Sequence, residues 1–280
     1  MKYLILLSPL TIQANTSKND AFTITMQNIA NEETPTFRKY TQIVDLIWHK
    51  LENHENFNID NLYISDDKKN LKKNLVAMIE NYGCHCFPTN KSLVGGKGAP
   101  RDALDNACRA LSRCHKCVEM DFLDEDTFEP ICQPDTDGYK YTLVEENREI
   151  ICEESPRHHV CTNRQCQCDR QFAETVFDLF TNQNQGEGVS DWNFNPSFWL
   201  NNRYIKEMNN SGLDNQLFDF ESSCATTNEK ASANDACCGD YPLRRPYSSS
   251  KKQCCNNLVI HPLFKECCEE GAAELGSGCF

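Results

Sequence analysis

Apolar residues recur at helical spacing in four parts of the chain, and each part predicts a helix with one buried face. In "YTQIVDLIWHKL", Tyr40, Ile43, Ile47 and Leu51 share such a face. A second helix is predicted over Leu71–Glu80, directly before the sequence "YGCHC". Both segments lie in the N-terminal third of the chain, so this part contributes helices rather than strands.

The other two predicted helices carry cysteines on their buried faces. Asp102 lies two residues after Pro100 and can cap a helix that continues through Val118. The last helix is predicted over Cys161–Phe180, and a β-hairpin over Tyr139–Glu154 lies between the two. The buried face of the capped helix is predicted to hold Leu104, Cys108, Leu111, and Cys114 or His115. The fold class is therefore mainly α with a small hairpin.

The cysteine content changes the picture from a simple helical core to a disulfide framework. There are 18 cysteines among 280 residues, an even number, and such density is typical of secreted chains. The N-terminal "MKYLILLSPLTIQA" predicts a signal peptide, residues 1–14. Three sequons, at Asn15, Asn90 and Asn209, predict N-glycosylation. We therefore expect a secreted, extracellular glycoprotein without a transmembrane segment.

The net charge of −13 limits the partners. Nucleic acid is not expected, because phosphate backbones are bound by basic surfaces. The acidic balance suits an extracellular protein, a mineral surface or divalent cations, and it also keeps a secreted chain in solution. The identity of the partner stays open among a protein, a mineral and a lipid.

Composition divides the chain into five parts. The last of them holds eight cysteines, including three Cys-Cys pairs, and is predicted to be a small, irregular, cysteine-rich module. The predicted parts are a signal peptide (1–14), an N-terminal extension with an amphipathic helix (15–70), a helical domain (71–185), a linker (186–223) and the cysteine-rich module (224–280).

The motifs of the helical domain carry a resemblance to a known family. "YGCHC", then "GGKGAPRDALDNAC", and later "CQCD" occur in the order found in secreted phospholipases A2. The resemblance covers residues 71–185 and implies that family's fold. In the family, a histidine activates the water that attacks the sn-2 ester, and the next aspartate helps to hold a calcium ion. The aspartate of the Cys-x-Cys-Asp motif orients that histidine.

Two of these three family positions are changed here. The general base falls on Leu111, which cannot accept a proton, and the calcium-ligating aspartate falls on Ser112. Only Asp169, in "CQCD", keeps its family identity. His115 lies one helical turn after Leu111 and could pair with Asp169, either as a structural link between helices or as a displaced base. We expect the structural link. We also expect no bound cofactor, apart from weak calcium binding at the surface.

The resemblance also implies three disulfides: Cys86–Cys108, Cys114–Cys168 and Cys152–Cys166. It leaves the other cysteines of this domain open. Cys161 takes Cys132 or Cys117, and Cys84 takes the other or reaches the C-terminal tail. Ten cysteines lie before residue 169 and eight after residue 223, so each group could close internally. "CHKC" could indicate a zinc site, but no second pair at metal spacing accompanies it.

Three functions follow from these observations. The first is a secreted, catalytically inactive phospholipase A2-like protein that acts by binding or as a matrix scaffold. The second is a calcium-dependent phospholipase A2. The third is a lipid-binding or fatty-acid-binding protein that uses the vestigial pocket, whose floor Leu111 makes more apolar. We favour the first, since the base and the calcium ligand are both missing.

Overall fold

The computed structural model describes residues 35–52, 79, 83–86, 98–100, 102–134, 137–154, 160–181 and 234–278. The predicted signal peptide, the predicted linker and the three sequon asparagines lie outside these residues, as does most of the helix predicted over 71–80. From that helix, only Ile79 is described, and it is helical and buried.

The first helix, α1, spans Pro35–Leu51 and packs against the core with the face that the sequence predicts. Ile43, Ile47 and Leu51 are all buried, and Leu46 is fully buried beside them. The apolar stripe is thus wider than the predicted one. Helix α1 lies mainly against the last helix of the domain.

Two long helices form the centre of the domain: α2 spans Ala103–Asp121 and α3 spans Val160–Thr181. The side chain of Asp102 caps α2 as predicted, since it accepts a hydrogen bond of 3.0 Å from the backbone N–H of Asp105. The two helices pack against each other, and the disulfide Cys114–Cys168 joins them. Their facing sides form the core together with α1.

The predicted hairpin is present between these helices. Strand β1 (Tyr141–Val144) pairs antiparallel with β2 (Glu149–Cys152), and Arg148 in the turn has φ 55°. The disulfide Cys152–Cys166 fastens the hairpin to α3. The mainly α, disulfide-rich fold with one small hairpin is therefore confirmed for this domain.

The C-terminal part is more regular than the irregular module that the sequence predicts. It consists of three short antiparallel hairpins, and each Cys-Cys pair lies on a strand. The strands are β3 (Ala236–Cys238), β4 (Arg245–Tyr247), β5 (Gln253–Cys255), β6 (Leu258–Ile260), β7 (Lys265–Cys268) and β8 (Gly271–Glu274).

Disulfides connect these hairpins in series and attach them to the helical domain. Cys238–Cys254 and Cys255–Cys267 link each hairpin to the next. In the pair Cys254–Cys255, one sulfur therefore bonds to the preceding hairpin and the other to the following one. Cys117 on α2 bonds to Cys237 on β3. The two cysteine groups, each of which could have closed internally, are therefore joined to each other. Sequence spacing alone cannot give connectivity, and here one bond spans 120 residues.

Noncovalent contacts reinforce this attachment at the C-terminal end of α2. The side chains of Arg244 and Tyr241 both donate to the carboxylate of Asp121, the Tyr241 hydroxyl at 2.8 Å. The guanidinium of Arg164 at the start of α3 lies 5.7 Å from the centre of the Tyr241 ring, a cation–π distance. The hairpin β3–β4 thus packs on α2.

Among the helices that the structure describes, none is long and apolar enough to cross a bilayer.

Candidate functional site

The centre of the candidate site is a buried pair between α2 and α3. Nε2 of His115 lies 2.7 Å from Oδ1 of Asp169, a short hydrogen bond. The two residues are only 3% and 0% exposed. The neighbouring disulfide Cys114–Cys168 fixes the register of the helices at this point. The pair that the sequence raised as an option therefore forms.

The hydrogen bond fixes what each nitrogen of His115 can do. Since the carboxylate can only accept when ionised, the hydrogen-bonded Nε2 is assigned the proton. Nδ1 is then the basic nitrogen, and among the described residues it has no hydrogen-bond partner. A general base must reach a water or a hydroxyl, and at 3% exposure His115 offers little access to one.

Tyr139 is a third member of this cluster, and no sequence pattern predicts this role for it. It is 6% exposed and lies just before β1. Burial raises the pKa of the Tyr139 phenol well above its usual range, and the charge of Asp169 and hydrogen bonding to it raise the pKa further. The phenol therefore keeps its proton and faces Asp169 as a donor. Only the tertiary fold brings it there, because no periodic pattern includes it.

The Tyr139 phenol makes stability sensitive to alkali. Above about pH 10 the unfolded chain loses this proton while the folded protein retains it, so the native state binds more protons. Stability is therefore expected to fall by about 1.4 kcal/mol per pH unit from this group alone. Urea denaturation at several pH values above 9 measures the slope. The Tyr139→Phe variant is expected to show a flatter slope, and equal slopes in both proteins would contradict this account.

At the two family positions of the general base and the calcium ligand, the structure describes Leu111 and Ser112. Leu111 is 3% exposed and belongs to the hydrophobic core, whereas Ser112 is half-buried. Residues 87–97, which form the segment before Gly98, lie outside the described residues. Within the described ranges, no group of three or more His, Cys, Asp or Glu residues could hold a metal ion.

A second buried histidine stabilises the turn before α2. Asp105 accepts hydrogen bonds from the backbone N–H groups of Cys84 at 2.9 Å and His85 at 2.7 Å. A Cβ at Gly83 would lie 2.5 Å from Oδ1 of Asp105, so only glycine fits at its φ of 55°. Burial lowers the pKa of His85, as do Arg109 and Arg113, against the opposing charge of Asp105. The ring lies 3.1 Å from the carbonyl of Gly98, which accepts from Nε2.

The structure contains the three disulfides that the resemblance implied: Cys86–Cys108, Cys114–Cys168 and Cys152–Cys166. Of the alternatives left open, Cys161 bonds to Cys132. Cys84 is disulfide-bonded as well, but Cys117 is not its partner. The "CHKC" cysteines are both in disulfides, to α3 and to β3, and so they form no zinc site.

Two disulfide-linked helices that bury a His–Asp pair, with a cross-linked hairpin beside them, define a protein of the secreted phospholipase class. A family model described as phospholipase A2 matches residues 65–185. The chain belongs to the phospholipase A2 family.

Similar proteins of Echis and Vipera species support this membership. A "Phospholipase A2 homolog" of Echis pyramidum leakeyi is 38% identical over 109 residues, which make up 39% of this chain and 72% of the relative. A second "Phospholipase A2 homolog", of Echis carinatus sochureki, is 35% identical over 119 residues, 42% of this chain and 75% of the relative. "Basic phospholipase A2 ammodytoxin A" of Vipera ammodytes ammodytes is 37% identical over 101 residues, 36% of this chain and 57% of the relative.

Proposed function

We propose that this protein is a secreted, catalytically inactive member of the phospholipase A2 family that acts by binding or by assembling extracellular material. The observation that carries the proposal is the burial of Leu111 in the core at the family position of the general base. Ser112, at the family position of the calcium ligand, offers a neutral hydroxyl where calcium prefers carboxylate oxygens. We expect no bound cofactor and at most weak calcium binding at the surface.

Secretion fits the same proposal. The described cysteines are all disulfide-bonded, as expected in an oxidising compartment. The net charge of −13 disfavours nucleic acid and fits a basic protein, a mineral or another cationic partner outside the cell. The family relationship does not decide activity, since the names of relatives include both "Phospholipase A2 homolog" and "Basic phospholipase A2".

The full secreted chain is expected to release no fatty acid from phospholipid vesicles in millimolar calcium, because neither a base nor a carboxylate stands at the two family positions. The measurement is fatty-acid release over time against vesicles alone, with Lys116→Ala as a matched control for His115→Ala. Lys116 is the exposed neighbour of His115 on α2. Hydrolysis that His115→Ala abolishes and Lys116→Ala retains would sink the proposal, provided that both variants keep the native near-UV circular dichroism.

That outcome would favour a second function, a phospholipase A2 that uses His115. The observation in its favour is the 2.7 Å pair with Asp169, which leaves Nδ1 of His115 basic and without a partner among the described residues. Nδ1 would then take a proton from water, and Asp169 would orient the ring, as the family aspartate does. A calcium titration by calorimetry separates the two proposals, because this one requires a tight single site. Burial of Leu111 gives no support to an acyl-binding pocket, the third hypothesis.

A further inference from the structure

Three arginines, two on α2 and one on the tail, come together where the tail packs on α2. Arg109 and Arg113 are four residues apart on α2 and therefore share one face. Cys117 continues this face by one more turn, and its sulfur is bonded to Cys237 of β3. Strand β4 pairs with β3 and lies against α2, and its first residue is Arg245. The disulfide thus brings Arg245 to the two helical arginines.

The charges of these residues act on one another. Burial and the nearby charges of Arg109 and Arg245 together lower the pKa of Arg113 to about 10. The shift still leaves Arg113 protonated at neutral pH. Arg109 and Arg113 also lower the pKa of His85, which places that histidine at the edge of the same cluster. Three guanidinium groups therefore repel one another in a chain whose net charge is −13.

No acidic side chain among the described residues forms an ion pair with these arginines. All three arginines are half-buried, yet none forms an ion pair or donates a hydrogen bond within the described ranges. Asp105, one helical turn before Arg109, accepts hydrogen bonds from the backbone N–H groups of Cys84 and His85. The adjacent Arg244 behaves differently, because it pairs with Asp121. Arg244 therefore helps to hold the tail on α2. Arg245 forms no such ion pair among the described residues.

We propose that Arg109, Arg113 and Arg245 form a binding site for a tetrahedral oxyanion, a phosphate or sulfate group. Guanidinium groups bind such anions through two parallel N–H···O bonds, and several of them around one anion remove the mutual repulsion. The site is too small for a long polyanion, which the net charge would also repel. The anion can be free in solution or the headgroup of a lipid.

This site is independent of any hydrolysis at His115. Leu111 lies two residues from Arg109 and two residues from Arg113, which places it about 200° around the helix from each of them. His115 lies one turn after Leu111 and shares its face of α2. The arginine cluster and the buried His–Asp pair are therefore on different sides of α2. Oxyanion binding and ester hydrolysis can be tested separately, and the failure of one does not affect the other.

The test is a calorimetric titration of the intact, fully disulfide-bonded protein with inorganic phosphate at constant ionic strength. Arg113→Gln and Arg245→Gln are each expected to weaken binding by about ten-fold or more, as the loss of a charge-assisted hydrogen bond does. Lys252→Gln is the matched control, because Lys252 is an exposed cation of the same tail. It is expected to change the affinity by less than about two-fold.

A second arm identifies the source of the anion. Vesicles of phosphatidylcholine with and without phosphatidic acid are sedimented with the wild type and the three variants. A lipid headgroup as the natural ligand predicts binding only to phosphatidic acid vesicles, lost in Arg113→Gln and retained in Lys252→Gln. If neither phosphate nor vesicle binding responds more to Arg113→Gln and Arg245→Gln than to Lys252→Gln, the site does not exist.

Discussion

Replacing Asp169 with alanine is expected to lower the free energy of unfolding by about 2–6 kcal/mol, because it leaves two buried donors without their acceptor at about 1–3 kcal/mol each. Asp169 is fully buried, and its Oδ1 lies 2.7 Å from Nε2 of His115. Without the carboxylate, the imidazole and the Tyr139 phenol would both be buried without their acceptor. Unsatisfied buried donors are costly because they have lost water and gained no partner.

Urea denaturation at neutral pH, with all disulfides intact, measures this loss. Asp178→Ala is the matched control, since Asp178 is an exposed aspartate on the same helix, and its replacement is expected to stay within about 0.5 kcal/mol of the wild type. Asp169→Asn keeps the shape and one acceptor oxygen and is expected to lose less than Asp169→Ala. If Asp169→Ala were no less stable than Asp178→Ala, the His115–Asp169 pair could not be a structural link.

Replacing Cys117 and Cys237 together with serine is expected to lower the free energy of unfolding by up to about 5 kcal/mol. The bond closes a loop with a sequence separation of 120 residues, and the chain-entropy model gives about that value for such a loop. Cys114–Cys168 shortens the path between its ends, so about 5 kcal/mol is the upper value. Without this bond, the contacts of Arg244 and Tyr241 with Asp121 would still attach the tail to α2.

Hydrogen exchange and urea denaturation of the double variant provide the test. The amides of β3 and β4 are expected to lose protection, whereas those of α3 keep theirs. Cys255→Ser with Cys267→Ser is the control, because that bond has a separation of only 12 residues and lies within the tail. Its expected entropic loss is smaller, about 3 kcal/mol by the same model. Unchanged exchange in β3 and β4 of the Cys117/Cys237 variant would show that noncovalent contacts alone hold the tail.

The local features of this fold could be predicted because they depend on neighbouring residues. The cap at Asp102, the buried face of α2 and the hairpin before Cys152 all follow from spacing and from side chains within one or two turns. The buried Leu111 follows in the same way, since it shares the helical face of Leu104 and Cys108. The disulfide that joins α2 to α3 was implied by the family resemblance.

The features that the sequence did not reveal all depend on distant contacts. Tyr139 reaches Asp169 through the path of the chain before β1, and no pattern encodes that approach. Arg245 comes close to Arg113 because the tail is attached to α2 by the bond between Cys117 and Cys237 and by the contacts of Arg244 and Tyr241 with Asp121. Taken as sequence, the basic residues of the tail are too few to indicate a site. Their significance depends on the helix against which they lie.

The bond between α2 and β3 also determines what happens to this protein after proteolysis. A cut anywhere from residue 182 to residue 233 divides the backbone into two chains, yet Cys117–Cys237 keeps them in one covalent molecule. A processed form of this protein would therefore be a disulfide-linked two-chain molecule, with the tail hairpins still attached to α2. In an extracellular space that contains proteases, the tail can be retained without an intact connecting segment.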